Sequence, residues 1–171
     1  MPGRKYTGNS DAVSRTGARP GTLKLVELCG KRWGFTNLGV FVNRPARHPD
    51  AKKNDPKWVS VHATGRACDV GYKNRADAVE AWDWFLKYTK ELGIEEIHDY
   101  AFDATPGDGR RGWGRGYRCS RGEGKAGVKI FTESDNAGPG GNWLHLELSP
   151  AMADNARKFE AVWRSLPKPG A

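Results

Sequence analysis

Ser60-Val61-His62-Ala63-Thr64-Gly65-Arg66-Ala67-Cys68-Asp69 is the stretch on which the reading of this chain turns. Apolar residues at Trp58–Val61 and Ala67–Tyr72 read as two short strand segments, with a turn at Thr64-Gly65 between them. That turn lets His62 and Asp69 converge on one point, and the small Ala67 leaves room beside them. A neutral imidazole and a carboxylate are a normal pair of zinc ligands. A metal needs at least one more. Four histidines exist, His48, His62, His98 and His145. His145 stands in Asn142-Trp143-Leu144-His145-Leu146-Glu147, a buried-strand pattern in which an ionisable group needs a reason. Three protein ligands would leave zinc one open position, as catalytic sites do.

Working outward, residues 1–20 are polar and aperiodic and read as a flexible basic arm. Thr22 reads as the cap of a helix to about Trp33, with Leu25, Leu28 and Cys29 on one face. Leu38–Val42 reads as a strand and Asn43–Lys57 as a loop. A helix over 75–92 is framed by Asn74 and Gly93, with Val79, Trp82, Phe85, Leu86 and Leu92 as its apolar face. Ile94–His98 reads as a strand, with His98 and Asp99 closing it in structural roles. Residues 103–127 read as one long Gly- and Arg-rich loop. Val128–Thr132 and Trp143–Leu148 read as two strands joined through Gly138-Pro139-Gly140-Gly141. Ser149-Pro150 opens a last helix that presents Met152, Ala156, Phe159, Trp163 and Leu166. The expectation is an α+β fold: a small, mainly antiparallel sheet with helices packed on it and a zinc site in a cleft on the sheet. One domain over 21–167 accounts for the chain.

The spaced pattern Ser60-x-His62-x-x-Gly65-x-Ala67-x-Asp69, with Trp143-Leu144-His145-x-Glu147 far downstream, resembles the zinc D-Ala-D-Ala metallopeptidases. That family includes carboxypeptidases, phage and bacterial endolysins and the related hedgehog signalling domain. All five fixed positions of the first motif match, and the two motifs span residues 22–148 with their surrounding elements. The resemblance implies Zn2+ held by His62, Asp69 and His145, with Ser60 and Arg66 as supporting residues. Arg66 would bind a substrate carboxylate or the developing oxyanion. The family's general base stands in many members as Glu or Asp three residues before the last histidine; here that position is Asn142, whose amide cannot take a proton. If the strands at 128–132 and 143–148 pair as a hairpin, Glu133 falls opposite Asn142 and can replace the base, with Asp135 behind it. Glu147 shares the face of His145 and can orient it from behind. Trp113 and Arg115, in a run of cations and aromatics, suit nucleic acid and equally the sugar rings and carboxylates of a glycan-peptide wall.

Composition sets bounds on these readings. The chain has 171 residues and a formal net charge of +8, which fits nucleic acid, anionic membrane and the anionic bacterial wall as partners. Cys29, Cys68 and Cys119 are widely spaced and form no CxxC pair, so a thiolate cluster is not expected. No apolar run follows Met-Pro-Gly-Arg-Lys, and no stretch is long enough to insert in a membrane. The expectation is a monomer made in a host cytoplasm without a signal peptide and acting at the cell wall, as an endolysin does. The resemblance thus implies a zinc-dependent peptidase with bacterial peptidoglycan as its partner. A catalytically inactive zinc-stabilised module, for wall binding or for a phage virion, is the alternative that Asn142 favours. Nucleic-acid binding rests only on charge and the Gly- and Arg-rich loop and leaves the three ligands unexplained.

Overall fold

The structure is a computed structural model and describes residues 2–8, 11–43, 59–108, 112–135, 137–138 and 140–169. Four helices are described, α1 (Pro20–Trp33), α2 (Arg75–Lys87), α3 (Pro150–Ala153) and α4 (Ala156–Ser165). Six strands, β1 (Thr36–Gly39), β2 (Ala67–Gly71), β3 (Ile94–Asp99), β4 (Arg115–Arg118), β5 (Val128–Ile130) and β6 (Trp143–Leu148), form one antiparallel sheet in the order β1-β2-β6-β3-β4-β5. The fold is α+β, with the helices packed on the sheet.

Strand alternation explains why the sheet has one apolar and one polar side. Cys68, Val70, Ile97, Leu144, Leu146 and Leu148 join the helix residues Leu25, Leu28, Trp82, Phe85, Phe159 and Trp163 in a single core. Each buried leucine of β6 contributes about 1.5–3 kcal/mol through the surface it removes from water. The residues between them, Ala67 and Asp69 on β2 and His145 and Glu147 on β6, point to the other side. Antiparallel register aligns them in rows: Asp69, His145, His98 and Gly116 in one, and Ala67, Glu147, Glu96 and Arg118 in the next.

Several expectations are corrected here. The pairing of 128–132 with 143–148 does not occur. β5 pairs with β4 at the sheet edge, while β6 lies between β2 and β3. Two buried neighbours give β6 more apolar contact than a hairpin partner could. The stretch 103–127 is not one loop, since it contains β4 and a short 3-10 turn at Gly124–Gly127. His62 sits on a 3-10 turn, Val61–Thr64, and not on a strand. α1 begins two residues before Thr22, with Pro20 in its first turn, and the Thr22 hydroxyl instead donates to the Gly65 carbonyl. α2 stops at Lys87, and Val79 is exposed. The last helical region breaks at Asn155, whose side chain caps α4 by accepting from the Lys158 amide.

The expected flexible arm is, over its described part, a strap on the polar side of the sheet. The Arg4 amide donates to the Cys119 carbonyl at 2.8 Å, and its guanidinium pairs with Glu123 at 2.5 Å. The Tyr6 hydroxyl donates to Glu147 at 2.8 Å, and Thr7 donates to the buried Glu95. Four such anchors fix a segment that carries little apolar surface of its own. Residues 44–58, which contain most of the expected loop, lie outside the described residues, as do His48, Arg110 and Arg111. Among the described residues, no helix is long and apolar enough to cross a membrane.

Candidate metal centre

Gly65 makes the approach of His62 possible. It ends the 3-10 turn at φ +76°, and a Cβ there would lie 2.4 Å from the Gly17 carbonyl oxygen. The turn delivers His62, 7% exposed, to the side of β2 that carries Asp69. His62 Nε2 lies 3.4 Å from Asp69 Oδ2, and His145 Nδ1 lies 2.9 Å from Asp69 Oδ1. The three residues offer ligand atoms that all lie within 4.8 Å of one another. Tetrahedral ligands about 2.0–2.1 Å from a zinc ion stand roughly 3.3 Å apart, and the Asp69 carboxylate stands near that distance from both imidazoles. Two imidazoles and one carboxylate also suit it chemically.

The electrostatics favour a cation. Both ring nitrogens of His145 face carboxylates, Nδ1 toward Asp69 and Nε2 toward Glu147 Oε1 at 3.1 Å. Burial opposes a charge on that ring, yet the two carboxylates outweigh it, and its pKa stands well above the usual histidine value. Asp69 shows the complement: burial pushes its pKa up, but hydrogen bonds from His145 and His62 win, and it falls below the usual carboxylate range. Glu147 is 4% exposed and is itself held by Tyr6. A carboxylate behind an imidazole can fix the ring and its tautomer, and Glu147 Oε1 lies at hydrogen-bond distance from His145 Nε2.

Three residues that sequence reasoning set aside or missed, His98, Glu96 and Tyr100, lie beside this group. His98 lies opposite His145 across β3 and β6, with ring centroids 5.7 Å apart. Its Nε2 faces Glu96 Oε1 at 2.5 Å and its Nδ1 faces the Tyr100 hydroxyl at 3.2 Å. Glu96 is buried, which raises its pKa. The hydrogen bond from His98 and the charge of Arg118 more than reverse that, and its pKa falls. Burial raises the Tyr100 pKa. Gly116 makes the arrangement possible, because a Cβ there would lie 2.5 Å from the Phe131 ring and 3.0 Å from His98. Glu96 and His98 alternate along β3 and Tyr100 follows directly after it, so strand periodicity was the available signal for the first two. Tyr6 had none.

The remaining expected residues lie elsewhere. Arg66 is fully buried, donates to the carbonyls of Leu148 and Gly8, and pairs with Glu95 at 3.3 Å. It ties the strap to the sheet and cannot meet a substrate, which corrects its expected role. Arg115 is likewise structural: it pairs with Asp99 at 3.0 Å and stacks over Trp82 and Phe102. Asp99, as expected, is structural, since Arg75 also binds it. Ser60 is half-buried, and its carbonyl accepts from the Ala63 amide to start the turn. Asn142 is exposed, and its carbonyl accepts from the Tyr72 amide. Glu133 is exposed on a short turn after β5, where it lines a cavity of 270 Å³ with Trp113 and Phe131. The pairing that would set it opposite Asn142 is absent. Asp135 bonds Lys129 and Thr132.

No family model, curated protein or solved structure matches this chain.

Proposed function

We propose that this chain is a zinc-dependent peptidase that cuts a peptide bond in the stem or cross-link of bacterial cell-wall peptidoglycan. The observation that carries the reading is the convergence of His62, Asp69 and His145, with ligand atoms within 4.8 Å of one another. The resemblance of residues 60–69 and 143–147 to zinc D-Ala-D-Ala metallopeptidases supplies the reaction and the substrate class. The net charge of +8 supports attraction to an anionic wall. Bound zinc supplies a Lewis acid for the scissile carbonyl and makes water acidic enough to act as a nucleophile near neutral pH.

The chain's own residues divide the rest of the work. Glu147 holds Nε2 of His145, leaving Nδ1 for the metal. His98 takes the role that Asn142 cannot fill. Its Nδ1 accepts the proton of the attacking water, directly or through the Tyr100 hydroxyl that it contacts. Glu96 keeps the Nε2 side occupied and so fixes the tautomer. The same imidazole then returns the proton to the leaving amine.

Purified protein incubated with bacterial cell walls, with and without a chelator, tests the reading. The expected result is one zinc per chain and release of soluble wall fragments that stops on chelation. Solubilisation that persists after complete zinc removal would sink the metallopeptidase assignment. The exposed amide of Asn142 favours a second reading, a zinc-stabilised wall-binding module. One zinc per chain, wall binding and no solubilisation on any wall chemotype would establish that module instead.

A further inference from the structure

Across the sheet from the metal centre, α1, α2 and α4 meet at an aromatic cluster that holds an unusual cation. The Arg32 guanidinium carbon lies 4.3 Å from the ring centroids of both Trp84 and Trp163, and 5.4 Å from Trp33. No hydrogen bond or carboxylate ion pair binds this guanidinium among the described residues, and its Nη1 is shielded from solvent without a partner. Guanidinium donors left unmade in this way are costly, and native structures seldom tolerate them without a reason. The C-terminal turn of α1 favours a cation, but a helix terminus does not account for a desolvated, unpartnered donor. Burial accordingly pulls the Arg32 pKa down.

A cavity of 440 Å³ opens beside it. Leu28, Trp163 and Pro169 form its apolar wall, and Lys31, Arg32 and Lys168 supply three cations. The one carboxylate on the lining, Glu80, accepts from the Trp33 indole at 2.7 Å, and Lys31 is engaged by Glu27. Arg32 and Lys168 are therefore the cations available to a ligand. The wall is fixed in place, because the Trp84 indole donates to the Pro167 carbonyl at 2.7 Å.

We propose that this cavity binds an amphipathic anion, a carboxylate or phosphate ester on an apolar body, with Arg32 and Lys168 gripping the oxyanion and Trp163, Leu28 and Pro169 packing the body. A planar guanidinium matches either oxyanion through paired N–H donors. The site is separate from the metal centre, and its test does not use peptidase activity.

Calorimetric titration of the full chain with benzoate and with phenyl phosphate distinguishes the two sources of the charge. The expected result is saturable binding of at least one probe that weakens as salt rises. A preference for benzoate assigns a carboxylate ligand, and a preference for phenyl phosphate assigns a phosphorylated one. Arg32→Gln should weaken binding about tenfold and Lys168→Gln about threefold, because both remove a charged donor. Lys168 lies on the exposed tail, so its replacement tests the site even if Arg32→Gln unfolds the aromatic cluster. Lys158→Gln, outside the cavity, should change nothing. Absence of saturable binding for both probes, or binding that neither replacement alters, overturns the proposal.

Discussion

Strand β6 runs Trp143-Leu144-His145-Leu146-Glu147-Leu148, and its two sides are built on different physics. The leucines face the helices, are fully buried, and are interchangeable in kind because burial is non-directional. His145 and Glu147 face the strap and the candidate metal centre, and each is held by named atoms at hydrogen-bond distance. Damage to the first side should therefore appear as lost stability with the site intact in whatever remains folded. Damage to the second should appear as lost metal or lost turnover in a protein that still folds. The largest expected effect falls on the polar side. His98→Gln should lower wall-fragment release by about 10²–10⁴-fold, the range for loss of a general base, while zinc stays at one per chain. Turnover unchanged from the parent would remove His98 from the reaction.

On the apolar side, Leu146→Ala should cost about 3 kcal/mol of unfolding free energy in urea, because it removes buried methyl groups and leaves a cavity in the middle of the sheet. Zinc affinity of the folded fraction should not move. A large loss of affinity would show that the two sides of β6 are coupled. Glu147→Gln is the converse experiment. It keeps the shape but removes the charge behind His145, and zinc affinity should fall about 10–100-fold.

The same contrast decides what could be read in the sequence. The alternation of β6 and the capping of α2 by Asn74 are local signals, and β6 and the start of α2 appear where expected. The convergence of His62 and Asp69 followed from spacing and a glycine turn, and His145 joined them through its place on a buried strand and the family resemblance, although the local conformation at His62 is a 3-10 turn. What failed was pairing. Nothing in residues 128–148 indicates that two other strands will take the sides of β6, since burial on both sides is a property of the whole sheet. The placement of Glu133 failed with it. The strap failed for a related reason. Arg4, Tyr6 and Thr7 form no periodic pattern, and their partners Glu123, Glu147 and Glu95 lie 88–141 residues away in sequence.

pH offers a graded test confined to the polar side. Glu96 is charged more readily in the folded chain than its ordinary value of 4.5 allows, because the His98 hydrogen bond and the Arg118 charge outweigh its burial. A carboxylate whose pKa is lower in the folded state adds stability above its unfolded value, and that stability is lost as pH falls below it. The metal-free protein should therefore lose unfolding free energy progressively from about pH 5 downward. Glu96→Gln should make that loss shallower, and Leu146→Ala should leave its slope unchanged. An identical slope in Glu96→Gln and parent would remove Glu96 from the acid response.

The smallest expected effect lies farthest from the metal. Tyr6 touches no ligand; its hydroxyl donates to Glu147 Oε2, and Glu147 in turn holds His145. Tyr6→Phe removes that one donor but keeps the ring on which the Arg118 guanidinium lies, 4.6 Å from the centroid. The strap should stay in place, because Arg4 and Thr7 still anchor it. Glu147 then keeps its charge but loses part of its orientation, so zinc affinity should fall about threefold, well short of the loss in Glu147→Gln. Competition with a chromogenic chelator resolves a difference of that size. An affinity equal to the parent's would mean that the strap stabilises the sheet without tuning the metal, and the polar side would then end at Glu147.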